Sequence, residues 1–309
     1  MPADFLILVA GLVCAAVGGE LFVRGAVGIA EASRIPAGII GATVAAFGTS
    51  SPEVSVAVNS SLEGRPQLAL GDALGSNVVN IGLVLGLTLL VGSVHVAGGV
   101  IRRDIAVALA VPLVTAALAA DGSLSRSDAL LLLAVFTVWL VVTAVAARRE
   151  RSAVAEVLAE HSFSRAIPVG LIGLGLLILA GRLIVSGAKG IGADLGLDPF
   201  IVGVVFVAIG TSVPELATAV ASRLRGHEEV GLGTVLGSNI FNGALIIPIA
   251  ALITPIRIDW GEIAVSLAFG IAVVLAVVPI PTQVLGRRRG VLLLSLYASS
   301  LVTLILTHG

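Results

Sequence analysis

The chain has 309 residues, 57% of them hydrophobic and 12% charged, with a formal net charge of −1. Soluble domains carry about 25% charged residues, so a water-soluble fold is excluded, and the near-neutral balance offers no basic face for nucleic acid. The single cysteine, Cys14, rules out an intrachain disulfide and a thiolate metal centre; it reads as a small buried apolar side chain.

Ten apolar spans follow in chain order, near 4–30, 36–62, 67–92, 101–120, 127–147, 164–190, 198–224, 230–254, 260–281 and 288–307. Several run about 20 residues almost without charge, the length that crosses a hydrocarbon core of about 30 Å. Segments of about 10 alternating residues, the mark of a transmembrane barrel, are absent. The first span carries Asp4 and no basic leader, so it reads as a retained helix. The polar stretch from Arg148 to Arg165 divides the chain into a five-helix unit over 1–147, a cytoplasmic connector over 148–163 and a second five-helix unit over 164–309.

The two units are copies. Gly48-Thr49-Ser50-Ser51-Pro52-Glu53 and Gly75-Ser76-Asn77-Val78-Val79-Asn80 return as Gly210-Thr211-Ser212-Val213-Pro214-Glu215 and Gly237-Ser238-Asn239-Ile240-Phe241-Asn242. One shift of 162 residues (Glu215 minus Glu53) superposes both motifs without a gap, with identity at about 20 of 46 positions over 36–81. Five spans per copy is odd, so the second copy enters the membrane from the opposite side, giving inverted repeats. The basic residues agree. With the N-terminus outside, the inner loops hold Arg34, Arg102, Arg103, Arg148, Arg149, Arg151, Arg165, Arg223, Arg225 and Arg287 to Arg289. The outer loops hold only Arg65, Arg126, Lys189 and Arg257, a strong positive-inside bias that sets both termini outside.

Each Thr-Ser-x-Pro-Glu motif sits mid-span and predicts a discontinuous helix, the second and the seventh. Gly48 can end one segment, Ser50 or Ser51 can cap the next, and Pro52 suits its first turn. The break would free carbonyls around Val44 to Gly48 as cation ligands and set Glu53 at the positive end of the new segment. Span 7 repeats this through Gly210, Thr211, Ser212, Pro214 and Glu215. A broken helix and a central carboxylate are both costly in lipid unless they line a site. Ser76 and Asn80, four apart, share one helix face, as do Ser238 and Asn242. Hydroxyls, amide oxygens and two carboxylates form an all-oxygen set that suits hard cations. Gly71, Gly75, Gly233 and Gly237 permit close helix approach.

Other polar residues take blander readings. Asp72 shares the face of Ser76 and could line the cation path or take up a proton, but its repeat mate is Thr234 and it lies near a span end, so it reads as a solvated vestibule residue. Glu20 and Arg24 predict an i, i+4 pair near the inner interface, with Arg182 and Ser186 as their mates. His95, His161, His227 and His308 read as surface residues, and Trp260 as an interfacial anchor.

These paired motifs resemble the two α-repeats of the cation/Ca²⁺ antiporters, specifically the prokaryotic sodium/calcium exchangers, over essentially the whole chain. The resemblance implies an all-α integral membrane protein with four midplane cation sites occupied alternately by Na⁺ and Ca²⁺. The matching positions are Ala46, Thr49, Ser50, Glu53, Ser76 and Asn80, and Ala208, Thr211, Ser212, Glu215, Ser238 and Asn242. The alanines would act through backbone carbonyls, and spans 1 and 6 would slide as a pair to alternate access. Some microbial relatives carry aspartate where this chain has Asn242, so the expected acidic set here is Glu53 and Glu215 alone.

The expectation is therefore a transporter that extrudes Ca²⁺ against Na⁺ in a prokaryotic plasma membrane, functional as a monomer. It contacts membrane lipid and has no cofactor, no nucleic-acid partner and no catalytic residue. An H⁺/Ca²⁺ antiporter on the same fold is the alternative, and a cation channel with a two-glutamate filter is a further one.

Overall fold

Proline and glycine punctuate the helix ends. The computed structural model describes residues 2–33, 37–96, 99–154, 163–193, 204, 207–278 and 284–308. The first half holds α1 (Pro2–Ser33), α2 (37–49), α3 (Ser51–Leu62), α4 (Pro66–Val91), α5 (Gly99–Leu118) and α6 (Arg126–Val154). The second holds α7 (Phe163–Ala193), α8 (Ala208–Thr211), α9 (Val213–Leu224), α10 (Glu228–Ile253), α11 (Trp260–Val277) and α12 (Arg287–His308). Six helices among the described residues, α4 to α6 and α10 to α12, are long and apolar enough to cross a membrane. The helix α6 runs on to Val154, so the start of the predicted connector is helical; 155–162, with His161, lie outside the described residues.

The two halves repeat each other in detail. The α3 helix ends at Gly64 (φ 73°) and α9 at Gly226 (φ 78°), left-handed positions that glycine adopts without strain. The amides of Arg65 and His227 then donate to the carbonyls of Ser60 and Ser222, each at 2.8 Å. Pro66 opens α4, where its missing N–H costs nothing, and Glu228 and Glu229 open α10, where the helix dipole favours negative charge.

Two short strand pairs tie the halves together. The strand β1 (Val94–His95) pairs antiparallel with β4 (Val284–Leu285), and β2 (Ser123–Leu124) with β3 (Ile256–Arg257). The 162-residue shift carries Val94 onto Ile256, yet β1 and β3 lie in different pairs. Each pair takes one strand from each half.

The helices α4 and α10 are the most enclosed of the six long apolar ones. The α6 and α12 helices instead expose Leu130, Leu131 and Val138, and Val291, Leu292 and Ile305, an apolar surface suited to lipid. Behind α10, Phe136, Trp139 and Phe241 pack with ring centroids 5.0–6.0 Å apart. The Trp139 indole N–H donates to the buried Asp104 carboxylate at 2.9 Å, and Arg103 reaches the same oxygen at 2.8 Å. That satisfies an acid which would otherwise be costly inside a span.

The α1 and α7 helices pack along each other through glycine. A Cβ built on Gly25 would lie 2.3 Å from the Gly170 Cα, and one on Gly173 would lie 2.3 Å from the Phe22 amide nitrogen. Backbones this close depend on small residues, the usual device where lipid removes the hydrophobic drive between helices.

Candidate cation site

Both predicted breaks are present, at a residue other than the expected one. Gly48 and Gly210 stay helical, and the interruptions fall at Ser50 (φ −82°, ψ 8°) and Ser212 (φ −81°, ψ 2°), in the bridge region between helix and strand. Neither serine caps the next helix through its side chain. The carbonyls expected to be free are largely engaged. The Ser50 amide donates to Ala46 O at 2.9 Å and the Ser212 amide to Ala208 O at 3.1 Å. The threonine hydroxyls reach the same oxygens, Thr49 at 3.3 Å and Thr211 at 3.4 Å. Proline removes the donor to Gly48 O and Gly210 O. In the first half the Ser51 hydroxyl replaces it at 2.8 Å; the second half has Val213 there and no such hydroxyl. Glu53 and Glu215 stand in the first turns of α3 and α9, as predicted.

Each break docks on the Gly-Ser-Asn helix of the other half. Thr49 Oγ1 lies 3.5 Å from Ser238 Oγ, and its repeat mate Thr211 Oγ1 lies 3.4 Å from Ser76 Oγ. Close backbone approach makes this possible. A Cβ on Gly237 would meet Ala42 O at 2.4 Å, and one on Gly75 would meet Val204 O at 2.7 Å. Ala46, Thr49, Ser50, Glu53, Ser76 and Asn80 are all buried, as are Ala208, Thr211, Ser212, Glu215, Ser238 and Asn242.

The two carboxylates differ in their surroundings. Glu215 Oε1 accepts from Ser238 Oγ at 2.9 Å and from Ser50 Oγ at 3.4 Å, and Ser50 also donates to Ser238 at 3.0 Å. Both oxygens of Glu53 lack a hydrogen-bond partner, as do Glu215 Oε2, Ser212 Oγ and all four side-chain polar atoms of Asn80 and Asn242. Buried polar atoms are rarely left so, because each costs about 1–3 kcal/mol. The unpartnered oxygens of Glu53, Ser212 and Glu215 lie at the two helix breaks and are of the kind that suits a hard cation.

Local helix geometry contributes. The α4 helix widens to π-helical turns over Val79–Leu85 and α10 over Asn242–Ile246, so Asn80 and Asn242 each stand at such a widening, a frequent device at functional sites. Between them, Asn239 Nδ2 donates to Asn77 O at 3.0 Å, joining α4 to α10 at residues 162 apart.

Asp72 corrects the vestibule expectation. It is fully buried, and its Oδ1 accepts from Thr211 Oγ1 at 3.1 Å and lies 3.5 Å from Ser76 Oγ. Asp72 and Glu215 are both near enough to Glu53 for their charges to repel it. Three buried carboxylates, those of Glu53, Glu215 and Asp72, thus lie in this region. Among the described residues no three of His, Cys, Asp and Glu converge as a metal cage. Carboxylate and neutral oxygens lie together here, a donor set that suits Ca²⁺ and Na⁺.

The remaining residues fall outside this centre. Arg24 donates to Glu20 at 2.8 Å, and Arg225 joins the same carboxylate, linking the end of α9 to α1. Arg182 is exposed, and the Ser186 side chain lies outside those described. Trp260 is partly exposed beside Asp259, which caps α11 through the Gly261 amide. His95 is exposed and bonds Glu228 at 2.9 Å.

Comparison with known proteins gives the same reading of the chain. The family model described as "Sodium/calcium exchanger protein" matches residues 3–145 and 166–306. "Inner membrane protein YrbG" of Escherichia coli is 37% identical over 262 residues, 82% of this chain and 81% of that protein. "Sodium/calcium exchanger MaX1" of Methanosarcina acetivorans is 25% identical over 98% of this chain and 99% of its own length. The solved structure of the sodium-calcium exchanger NCX_Mj, soaked with Na⁺ and Sr²⁺, superposes with a TM-score of 0.83 at 29% identity, covering 97% of this chain and 98% of that one. The chain belongs to the sodium/calcium exchanger protein family and is an integral-membrane cation/Ca²⁺ antiporter.

Proposed function

We propose that the chain exchanges Na⁺ for Ca²⁺ by alternating access and that Ca²⁺ extrusion is its working direction in a prokaryotic plasma membrane. The observation that carries this reading is the contact of Ser50, at the first helix break, with Glu215, at the start of the helix after the second. A residue of the first break thus acts on the carboxylate that follows the second. Ca²⁺ needs Glu53 and Glu215 together, whereas Na⁺ ions can divide them, so the two cargoes compete for one set of oxygens. The Thr49, Ser50, Ser76 and Asn80 group and its mates Thr211, Ser212, Ser238 and Asn242 would complete the coordination, with the carbonyls of Ala46 and Ala208.

Ten spans in two inverted repeats fit the strand pairs. Under that topology β1 and β4 fall in inner loops and β2 and β3 in outer loops, so each strand pairs with one on its own side. Both termini would then face outward. The glycine-lined packing of α1 on α7 supports their movement as one unit across the bundle. An empty site keeps like charges buried, which resists reorientation and favours exchange over leak. Protein-lipid vesicles loaded with Na⁺ and diluted into radiolabelled Ca²⁺ should accumulate Ca²⁺. Uptake indifferent to the Na⁺ gradient would contradict the reading, and uptake driven by a pH step without Na⁺ would assign the coupling to protons.

A further inference from the structure

A small cavity lies where the two halves meet, apart from the cation site. Asn77 and Asn239, Ala108 and Gly270, and Pro112 and Val274 all line it, and each pair is 162 residues apart, so it sits on the axis that relates the repeats. It is closed where α5 packs on α10 and α11, and α11 on α4. No residue of the cation site lines it.

Three buried polar atoms of the lining residues have no hydrogen-bond partner: Asn77 Oδ1, Asn239 Oδ1 and Ser266 Oγ. Their residues are at most 7% exposed. Pro112 stands inside α5, and its missing N–H takes from Ala108 O its usual helical donor. The mate Val274 keeps its N–H, so this acceptor is freed on one side only. Room comes from Gly270, which is buried, yet a Cβ built on it would meet nothing within 4 Å. The space is about 10 Å³ for the centre of a water-sized sphere, enough for one water.

An apolar guest would leave these groups unpaired at a cost, and a cation would find no carboxylate on the walls. We propose that the cavity is a binding site for one ordered water molecule, which donates to Asn77 Oδ1 and Asn239 Oδ1 and accepts from Ser266 Oγ. Three bonds are the usual number for a buried water. Asn77 and Asn239 directly follow Ser76 and Ser238, so the water ties the two Gly-Ser-Asn helices to each other and to α11. It extends the direct link from Asn239 Nδ2 to Asn77 O.

The test is the electron density of the full chain crystallised in lipid, at a resolution that shows ordered water. One peak should stand about 2.5–3.0 Å from Asn77 Oδ1, Asn239 Oδ1 and Ser266 Oγ, and it should persist when Na⁺ is replaced by N-methylglucamine. No peak, a peak that leaves with Na⁺, or an anomalous signal there after a Rb⁺ soak overturns the proposal. Gly270→Ala gives an independent test by its sign. In a dry apolar cavity the added methyl would leave the melting temperature unchanged or raise it. Displacing a water that serves three buried polar atoms should instead lower it by about 2–4 °C. An unchanged or higher melting temperature overturns the proposal. Neither measurement depends on transport, so the exchange reading stands or falls separately on the Ca²⁺ flux.

Discussion

Thr211 Oγ1 donates to Asp72 Oδ1 at 3.1 Å, joining the second helix break to a carboxylate that the repeat does not duplicate. Elsewhere the halves echo each other, with Thr49 against Ser238 and Thr211 against Ser76. The site is therefore two-fold in its scaffold and one-sided in its charge.

Removing either glutamate should abolish Ca²⁺ transport. Glu53→Gln and Glu215→Gln each take away a charge that Ca²⁺ requires, and counterflow of radiolabelled Ca²⁺ should fall by at least about 100-fold, roughly 2.8 kcal/mol. The same variants should lose the rise in melting temperature that Ca²⁺ gives the wild type, since a ligand stabilises only the state it binds. A variant that keeps both responses would remove that glutamate from the site.

Ser238→Ala deletes the hydroxyl that orients Glu215 and receives Ser50. A hydrogen bond to a charged group contributes about 1.5–3 kcal/mol, so the Ca²⁺ concentration for half-maximal transport should rise about tenfold or more. Ser76→Ala, at the repeat mate, removes a hydroxyl 3.5 Å from Asp72 rather than one bonded to a glutamate, and should raise that concentration less. Ca²⁺ titrations of the two variants check this.

Glycine substitutions separate packing from ligation. A Cβ at Gly25 meets the Gly170 backbone, whereas one at Gly175 meets nothing within 4 Å. Gly25→Ala should slow turnover and lower thermal stability by about 1–3 kcal/mol, as overpacking does. Gly175→Ala on α7 should leave both unchanged. Equal behaviour of the two would deny a role to the tight α1–α7 seam.

The Glu20–Arg225 ion pair links α1 to the end of α9 at a partly exposed position. Such pairs contribute at most about 1 kcal/mol to stability after solvent screening. Arg225→Ala should therefore barely move the melting temperature. If α1 moves relative to α9 during transport, the same change should alter turnover at saturating Ca²⁺ without altering Ca²⁺ affinity. Single-turnover fluxes would resolve the two.

The legible parts of the chain were those where polar residues interrupt apolar sequence. The Pro-Glu motifs exposed the breaks, and the four-residue spacing of Ser76 and Asn80 put them on one face. Depth was harder to read. Asp72 lies six residues past Pro66, about 9 Å along the axis at 1.5 Å per residue, and a span end drawn from hydropathy does not say how far the neighbouring helices rise around it. Glycine suggests a left-handed turn, yet the interruption falls at Ser50 and Ser212, two residues before prolines whose missing N–H removes the donor to Gly48 O and Gly210 O. Two-residue strands and π-helical turns carry no periodic signal. They arise from contacts between the halves, which no local window contains.

The most direct test of the central claim, that the two breaks form one cation receptor, is anomalous scattering from crystals soaked in Sr²⁺ as a Ca²⁺ surrogate. The account predicts a peak within coordination distance of oxygens from both Glu53 and Glu215, displaced when Na⁺ replaces Sr²⁺. A peak bound to only one of them, or none between α3 and α9, would contradict it.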